Sequence, residues 1–121
     1  MTIKMPVLLL SAILAAYSPH TRAELTVEKY LSSRKHDALK KITNDYIAGL
    51  GRGAYITNAI SKSKVFCPPK KPVLNLVNFL QTIDDTLRRV HKSKGSLKEV
   101  SQNPIEMILI VGLMHDYPCR K

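Results

Sequence analysis

Residues 38–60 read ALKKITNDYIAGLGRGAYITNAI, and this stretch decides the class of fold. Its apolar residues return at steps of three and four, which is the spacing of one face of an α-helix. Gly49, Gly51 and Gly53 each lower helix propensity by about 1 kcal/mol. We nevertheless expect one continuous helix, in which the glycines let another helix approach closely. The residues expected to share its buried face are Ala38, Leu39, Ile42, Tyr46, Ile47, Leu50, Tyr55, Ile56, Ala59 and Ile60.

The same periodicity appears on both sides of this stretch, while strand signals are weak throughout. Pro72 is well placed to start the next helix, because proline suits the first helical position. Asn103-Pro104 is typical of an N-cap followed by the first residue of a last helix. The sequence therefore predicts an all-α fold, a small single-domain bundle of about four helices. The expected helices lie within residues 24–34, 35–60, 72–90 and 104–117.

The N-terminus has the three parts of a secretory signal peptide. Lys4 supplies a positive charge, residues 5–17 are apolar, and Thr21-Arg22-Ala23 offers a small-x-small cleavage site. The apolar part is too short to span a bilayer, although an uncleaved membrane anchor remains the alternative. We therefore expect a signal peptide at 1–23 and a helical domain at 24–121. That domain should be located in the periplasm, without stable membrane insertion after cleavage.

Both cysteines of the chain, Cys67 and Cys119, lie in the exported part. In an oxidising compartment an even pair is expected to form a disulfide, whereas in the cytosol it would suggest a metal or redox role. Closing so long a loop removes roughly 4 kcal/mol of conformational freedom from the unfolded chain. A small domain has marginal stability, so this disulfide is expected to matter.

The chain is strongly basic, with 19 basic and nine acidic residues and a net charge of +10. Lys4 and Arg22 leave with the signal peptide, so 17 basic and nine acidic residues give the mature domain a charge of +8. Such a surplus favours acidic partners and salt-sensitive association. Because the export signal argues against nucleic acid, we expect no nucleic-acid partner. The alternative is that the charge serves no partner and only keeps a soluble protein monodisperse.

The sequence contains no pattern typical of a catalytic or metal site. His36-Asp37 and His115-Asp116 are adjacent pairs, and neighbours on a helix point about 100° apart, so no aligned dyad is expected. His115 and Cys119 have a spacing that suits zinc but lack third and fourth ligands. We therefore expect no catalytic residue, no metal and no cofactor, and a protein that is not an enzyme.

Three short motifs carry a family resemblance. They are Tyr46-Ile47-Ala48-Gly49 on a long helix, Phe66-Cys67-Pro68-Pro69 after it, and Tyr117-Pro118-Cys119 after a further apolar helix. Together they resemble the Tai family of periplasmic immunity proteins, the type VI amidase immunity and resistance-associated proteins. The resemblance covers roughly Asp45 to Cys119. The basic segment 88–98 departs from the family pattern and looks like an insertion.

The resemblance implies inhibition without catalysis. Members of this family bind cell-wall amidases that a type VI secretion system delivers, and they occlude the peptidoglycan-binding cleft of a cysteine–histidine endopeptidase. They often act as homodimers and reach the cleft with a loop between the later helices. A cognate peptidoglycan amidase is thus the implied protein partner, and a homodimer is the implied assembly.

The segment that matches this loop is Arg88–Gln102. Five positive charges fall on its first eleven residues, with no acidic residue before Glu99, and Gly95 allows a turn at the tip. A solvated loop that separates two apolar helices is the alternative. The residues expected to bind the partner are Arg88, Arg89, His91, Lys92, Lys94, Gly95 and Lys98.

Two other functions stay open at this level. One is a periplasmic acid-stress chaperone. Such a protein needs carboxylates whose protonation loosens the fold, and nine acidic residues beside 17 basic ones offer little of this switch. The other is a cationic protein bound to anionic lipid or to a wall polymer, for which the charge alone would suffice.

Overall fold

The computed structural model describes residues 24–120 of the chain; the predicted signal peptide, residues 1–23, lies outside the described residues. The described part contains four α-helices, one disulfide and no strand, which confirms the predicted all-α bundle. The helices are α1 (Val27–Ser33), α2 (Asp37–Ile60), α3 (Leu76–Lys94) and α4 (Ile105–Asp116), and a short 3-10 helix covers Lys98–Val100. Among residues 24–120, no helix combines the length and the apolar content that crossing a membrane requires.

Helix α2 continues through its three glycines, as predicted, and one of them admits a neighbouring helix. A Cβ atom added to Gly51 would overlap the ring of Phe79, a buried residue of α3. No side chain other than hydrogen fits between the α2 backbone and this ring. The close approach expected of the glycines is therefore met within the chain at Gly51.

The start of α3 differs from the prediction. The helix begins at Leu76 and not at Pro72, because Asn75 acts as its N-cap. The Asn75 Oδ1 atom accepts hydrogen bonds from the backbone N–H groups of Val77 and Asn78, at 3.0 and 3.3 Å. Asn78 Oδ1 accepts in return from the Asn75 backbone N–H at 3.0 Å, which completes a reciprocal capping box.

The start of α4 is also shifted from the prediction, by one residue. Pro104 is the N-cap position and Ile105 the first helical residue, and Asn103 lies outside the helix. The Ile105 backbone N–H donates to the Leu25 carbonyl at 2.8 Å. The segment that precedes α1 therefore satisfies the first amide of α4, so no capping side chain is needed.

The core lies between the inner faces of the four helices, and the contact between α3 and α4 is the most extensive. At its centre a Cβ atom on Gly112 would overlap Oγ1 of Thr86 and Cγ2 of Thr82. The two helices thus touch backbone to side chain at this point. The buried apolar residues are Val27, Tyr30, Ile47, Phe66, Leu74, Phe79, Ile83, Leu87, Ile105, Ile108, Leu109 and Leu113.

The predicted buried face of α2 is partly wrong. Ile47 is buried, but Ile42, Ile56 and Ile60 are 66%, 52% and 81% exposed. Helix α2 carries apolar residues on two nearly opposite sides, and α3 and α4 cover only the side of Ile47 and Gly51. Periodicity shows that each side is apolar, but only the packing decides which one is covered.

The predicted disulfide between Cys67 and Cys119 is present, with 4.9 Å between the two Cα atoms. The Cys67 backbone N–H also donates to the Tyr117 carbonyl at 2.7 Å. Next to it, the Asn58 side chain donates to the Phe66 carbonyl at 2.7 Å, which holds the connection against the end of α2. The disulfide therefore joins the α2–α3 connection to the segment that follows α4.

Candidate partner-binding site

The predicted basic loop consists of a helical part and a turn. Residues 88–94 form the last two turns of α3, so the prediction of a loop that begins at Arg88 is wrong for this part. The helix ends at Gly95, which has a left-handed φ of 77° and whose N–H donates to the His91 carbonyl at 2.8 Å. Cations in the last turn are favourable for the helix dipole, which stabilises this longer helix.

Three of the predicted binding residues share one exposed face of α3. Arg88, His91 and Lys92 occupy positions i, i+3 and i+4, and we call them the outer basic cluster. Within residues 24–120, the side chains of His91 and Lys92 have no hydrogen bond or ion pair. Arg88 Nη1 lies 2.7 Å from Asp85 Oδ1, but its side chain is 75% exposed. Such a surface pair contributes only about 0–1 kcal/mol, so it leaves Arg88 available to a partner.

Arg89 and Lys94 point elsewhere and contact acidic residues of the same chain. Arg89 Nη2 donates to Thr86 Oγ1 at 2.9 Å, and its Nη1 lies 3.8 Å from Asp116 Oδ1 at the end of α4. Lys94 Nζ lies 3.9 Å from Glu99 Oε2 across the turn. Arg89 therefore helps to hold α3 against α4, a role that its position in a charge run does not reveal.

The turn that follows Gly95 carries the last predicted residue, the exposed Lys98, and is anchored to α1. The Glu28 backbone N–H donates to the Ser101 carbonyl at 2.9 Å, and the Val27 N–H donates to the Asn103 carbonyl at 3.0 Å. These bonds fix the path of the turn, so the end of α3 presents its charges on a supported scaffold.

A contact between Tyr46 and Glu106 has no signal in the sequence. The Tyr46 hydroxyl donates to Glu106 Oε1, and the other carboxylate oxygen, Oε2, is buried without a partner in the described part of the chain. The hydrogen bond to Glu106 and partial burial raise the pKa of Tyr46 to about 12. A phenol that holds its proton so firmly is a donor and not a base. The pair therefore fastens α2 to α4, and only folding brings these distant residues together.

A second tyrosine links α1 to α3. The buried Tyr30 hydroxyl donates to Asp84 Oδ1 at 2.7 Å, and the Arg34 guanidinium lies 5.2 Å from the centre of its ring. Burial, together with Asp84, raises the pKa of Tyr30 well above its ordinary value. This phenol is also a structural donor.

His115 and Asp116 contact each other, although they are neighbours on the helix. His115 Nδ1 lies 3.2 Å from Asp116 Oδ1, while Thr82 Oγ1 donates to Asp116 Oδ2 at 2.9 Å. The hydroxyl is therefore bonded to the carboxylate and not to the imidazole, so His115 is not placed to take its proton. The sulfur of Cys119 is part of the disulfide and is not a thiolate ligand. No group of three or more metal-ligating side chains comes together within residues 24–120.

Comparison with known proteins returns no match, whether against family models, curated proteins or solved structures.

Proposed function

We propose that the mature chain is a periplasmic immunity protein that binds and blocks a cell-wall amidase effector of a type VI secretion system. The outer basic cluster carries this proposal. Arg88, His91 and Lys92 stand exposed on a supported helix end, and the ion pair of Arg88 with Asp85 leaves the Arg88 side chain largely exposed. An acidic rim around an enzyme cleft is the complementary surface for such a cluster.

The motifs behind the family resemblance support the proposal by their position. Phe66 and Cys67 of one motif meet Tyr117 and Cys119 of another at the disulfide, and Phe66 is buried. The residues of these two motifs are thus a connected part of the framework.

Inhibition by occlusion requires rigid presentation and no chemistry by the inhibitor. We infer that the protein has no hydrolase activity of its own. The contacts of His115, Tyr46 and Tyr30 all serve packing, and none is joined to a nucleophile in the order that acyl transfer needs. The cluster at the end of α3 would instead cover the cleft into which the peptidoglycan peptide binds.

The direct test mixes the purified mature protein with the amidase encoded beside its gene, and follows the release of peptide fragments from peptidoglycan. Hydrolysis should fall to background at one equivalent of inhibitor, and the two proteins should co-elute. Full hydrolysis in the presence of a several-fold excess would contradict the proposal. Fragment release by the protein alone, if it survives repurification, would contradict the inference that it is not an enzyme.

The charge of the mature domain favours a second candidate, a cationic protein that binds the anionic surface of the envelope. Vesicles with and without phosphatidylglycerol distinguish the two functions. The immunity proposal expects the amidase to bind more tightly than anionic vesicles at physiological salt. Strong vesicle binding with no effect on the amidase would support the second candidate.

A further inference from the structure

Helix α2 carries an exposed apolar stripe, which the described chain contacts mainly through the bond of the Tyr46 hydroxyl to Glu106 of α4. Its members return at alternating steps of three and four, and therefore lie along one face of the helix. Ile42 and Ile60 near the two ends are 66% and 81% exposed, and the glycines in the middle are accessible too. We call this face the α2 stripe; it consists of Leu39, Ile42, Tyr46, Gly49, Gly53, Ile56 and Ile60.

The glycines of the stripe differ from the other two helical glycines. A Cβ atom on Gly51 would collide with Phe79, and one on Gly112 would collide with Thr86, so the packing of the chain itself explains both. A Cβ atom on Gly49 or Gly53 would meet nothing within 4 Å. Each of these two costs helix stability without any internal contact that requires it. Small residues that face outwards allow another helix backbone to come close.

Apart from Leu39, the members of the stripe are spaced symmetrically about Gly51. When two copies of α2 run antiparallel with their Gly51 residues at the same level, Ile42 faces Ile60 of the second copy and Tyr46 faces Ile56. Gly49 likewise faces Gly53 of the second copy. Large residues thus meet large residues at both ends, and small ones meet at the centre. A two-fold axis requires this self-complementarity, since the same patch serves both partners.

An antiparallel arrangement also separates the two Glu106 carboxylates. In a parallel pair Tyr46 would face Tyr46 of the second copy, which would bring the two Glu106 side chains towards each other. Antiparallel pairing places Ile56 there instead and opposes the helix dipoles favourably. The three–four spacing keeps the seam in contact along its length at a shallow crossing angle.

The surface beside the stripe extends the apolar area. A cleft of about 440 Å³ opens between α2 and α4, lined by Gly49, Gly53 and Ile110 among others. Helix α2 is about 36 Å long and about 10 Å wide, so its seam alone covers roughly 400 Å² per partner, about half of a standard interface. With the α4 flank added, the size fits a reversible dimer better than an obligate one.

From these observations we propose that the α2 stripe is a self-association surface, which binds the same stripe of a second copy antiparallel about a two-fold axis beside Gly51. The family resemblance implies a homodimer without a surface, and this proposal assigns the surface and its direction; it needs neither the amidase nor the outer basic cluster. The mature charge of +8 on each copy opposes the association, and the exposed Arg52 lies close to the axis. Added salt screens this repulsion and should therefore strengthen the dimer.

Sedimentation equilibrium of the mature protein tests the association. Wild type should show a monomer–dimer equilibrium that shifts towards the dimer as salt rises. Ile42→Glu should weaken it by roughly tenfold or more, since the change removes two buried contacts from each dimer. Val77→Glu is the matched control, because Val77 on α3 is 69% exposed and lies off the stripe. A monomer at all concentrations, or equal effects of the two variants, would overturn the proposal.

Disulfide trapping tests the direction of the pairing. Ile42→Cys and Ile60→Cys proteins are oxidised separately and as an equal mixture, with the native disulfide present in all samples. The mixture should give a crosslinked heterodimer, and each variant alone should stay uncrosslinked. In the antiparallel pair the two substituted thiols of the Ile42→Cys protein lie about 27 Å apart along the helix axis, too far to react. Crosslinking of Ile42→Cys with itself would show parallel pairing and overturn the proposal.

Discussion

The α3–α4 contact and the outer face of α2 use the same residue types in opposite ways. Gly112 lies where two helices of one chain touch, against Thr82 and Thr86. Gly53 also lies on an apolar face of a helix, yet it has open space in front of it. A glycine on an apolar helical face permits a close approach in both regions. Only in the first does the chain itself supply the approaching group.

The glycines of the two regions differ in what offsets their cost to the helix. A glycine inside a helix costs about 1 kcal/mol relative to alanine. At Gly112 the packing of α3 against α4 offsets this cost, because no larger residue would let the helices meet. At Gly49 and Gly53 nothing within residues 24–120 offsets it. The first region therefore serves the stability of the monomer, and the second is the one that we propose for contact with another copy.

Removing the disulfide should have the largest effect, because the disulfide holds the α2–α3 connection to the end of α4. We expect the double variant Cys67→Ser/Cys119→Ser to lose about 4 kcal/mol of unfolding free energy, since its unfolded chain regains the freedom of a long loop. Urea denaturation of the variant beside wild type measures this loss. An unchanged denaturation midpoint would mean that the disulfide contributes little to the free energy of unfolding.

Replacing Gly112 by alanine should have the next largest effect. The added methyl group would overlap Thr86 Oγ1 and Thr82 Cγ2, and overpacking of this kind costs typically about 1–3 kcal/mol. We expect a net loss of about 2 kcal/mol in unfolding free energy, measured by urea denaturation. A more stable Gly112→Ala protein would show that α3 and α4 do not meet closely, and would remove the contrast with α2.

The same glycine-to-alanine substitution on the α2 stripe should change the unfolding free energy in the opposite direction. Gly53→Ala adds a methyl group where nothing lies within 4 Å, so the monomer should gain up to about 1 kcal/mol through helix propensity. Thermal melts at a dilution where the monomer dominates measure this gain. Sedimentation at high concentration should show weaker self-association. A variant that is less stable when dilute would mean that another part of the chain covers the stripe.

The outer basic cluster should give the smallest change in free energy but a clear change in rate. Arg88→Glu/Lys92→Glu should slow association with the amidase and weaken its salt dependence, because exposed charges mainly steer the encounter. Surface-binding kinetics at two salt concentrations measure this. Lys40→Glu/Lys70→Glu is the control, since it makes the same charge change at two other exposed positions.

The sign of the salt effect distinguishes binding through the outer basic cluster from self-association through the α2 stripe. Binding through the cluster should weaken as salt rises, whereas self-association through the α2 stripe should strengthen. Arg89 is left unchanged because it contacts Asp116 and its replacement would disturb the α3–α4 contact. Equal association rates for both double variants would place the amidase contact elsewhere on the surface.

The helical class, the continuity of α2 and the pairing of Cys67 with Cys119 could all be predicted from the sequence. The helices follow from the three–four spacing of apolar residues, which is a local pattern. The disulfide follows from the number of cysteines, because two cysteines allow one pairing. The ends of the helices were less well predicted, because competing caps lie within a few residues. The helix begins after Asn75 and not at Pro72, because the Asn75 side chain accepts hydrogen bonds from two amides of the first turn. Proline has no side-chain acceptor that could do the same.

Packing in three dimensions determines which side of α2 faces the core and which basic residues face outwards, and the sequence did not predict either. Both sides of α2 are apolar, and the choice between them depends on α3 and α4 arriving at Ile47 and Gly51. Arg88 and Arg89 are adjacent in one run of basic residues, yet Arg88 faces outwards while Arg89 contacts Asp116 of α4. Contacts between residues far apart in the chain have no local pattern, so folding is what separates a docking surface from a core.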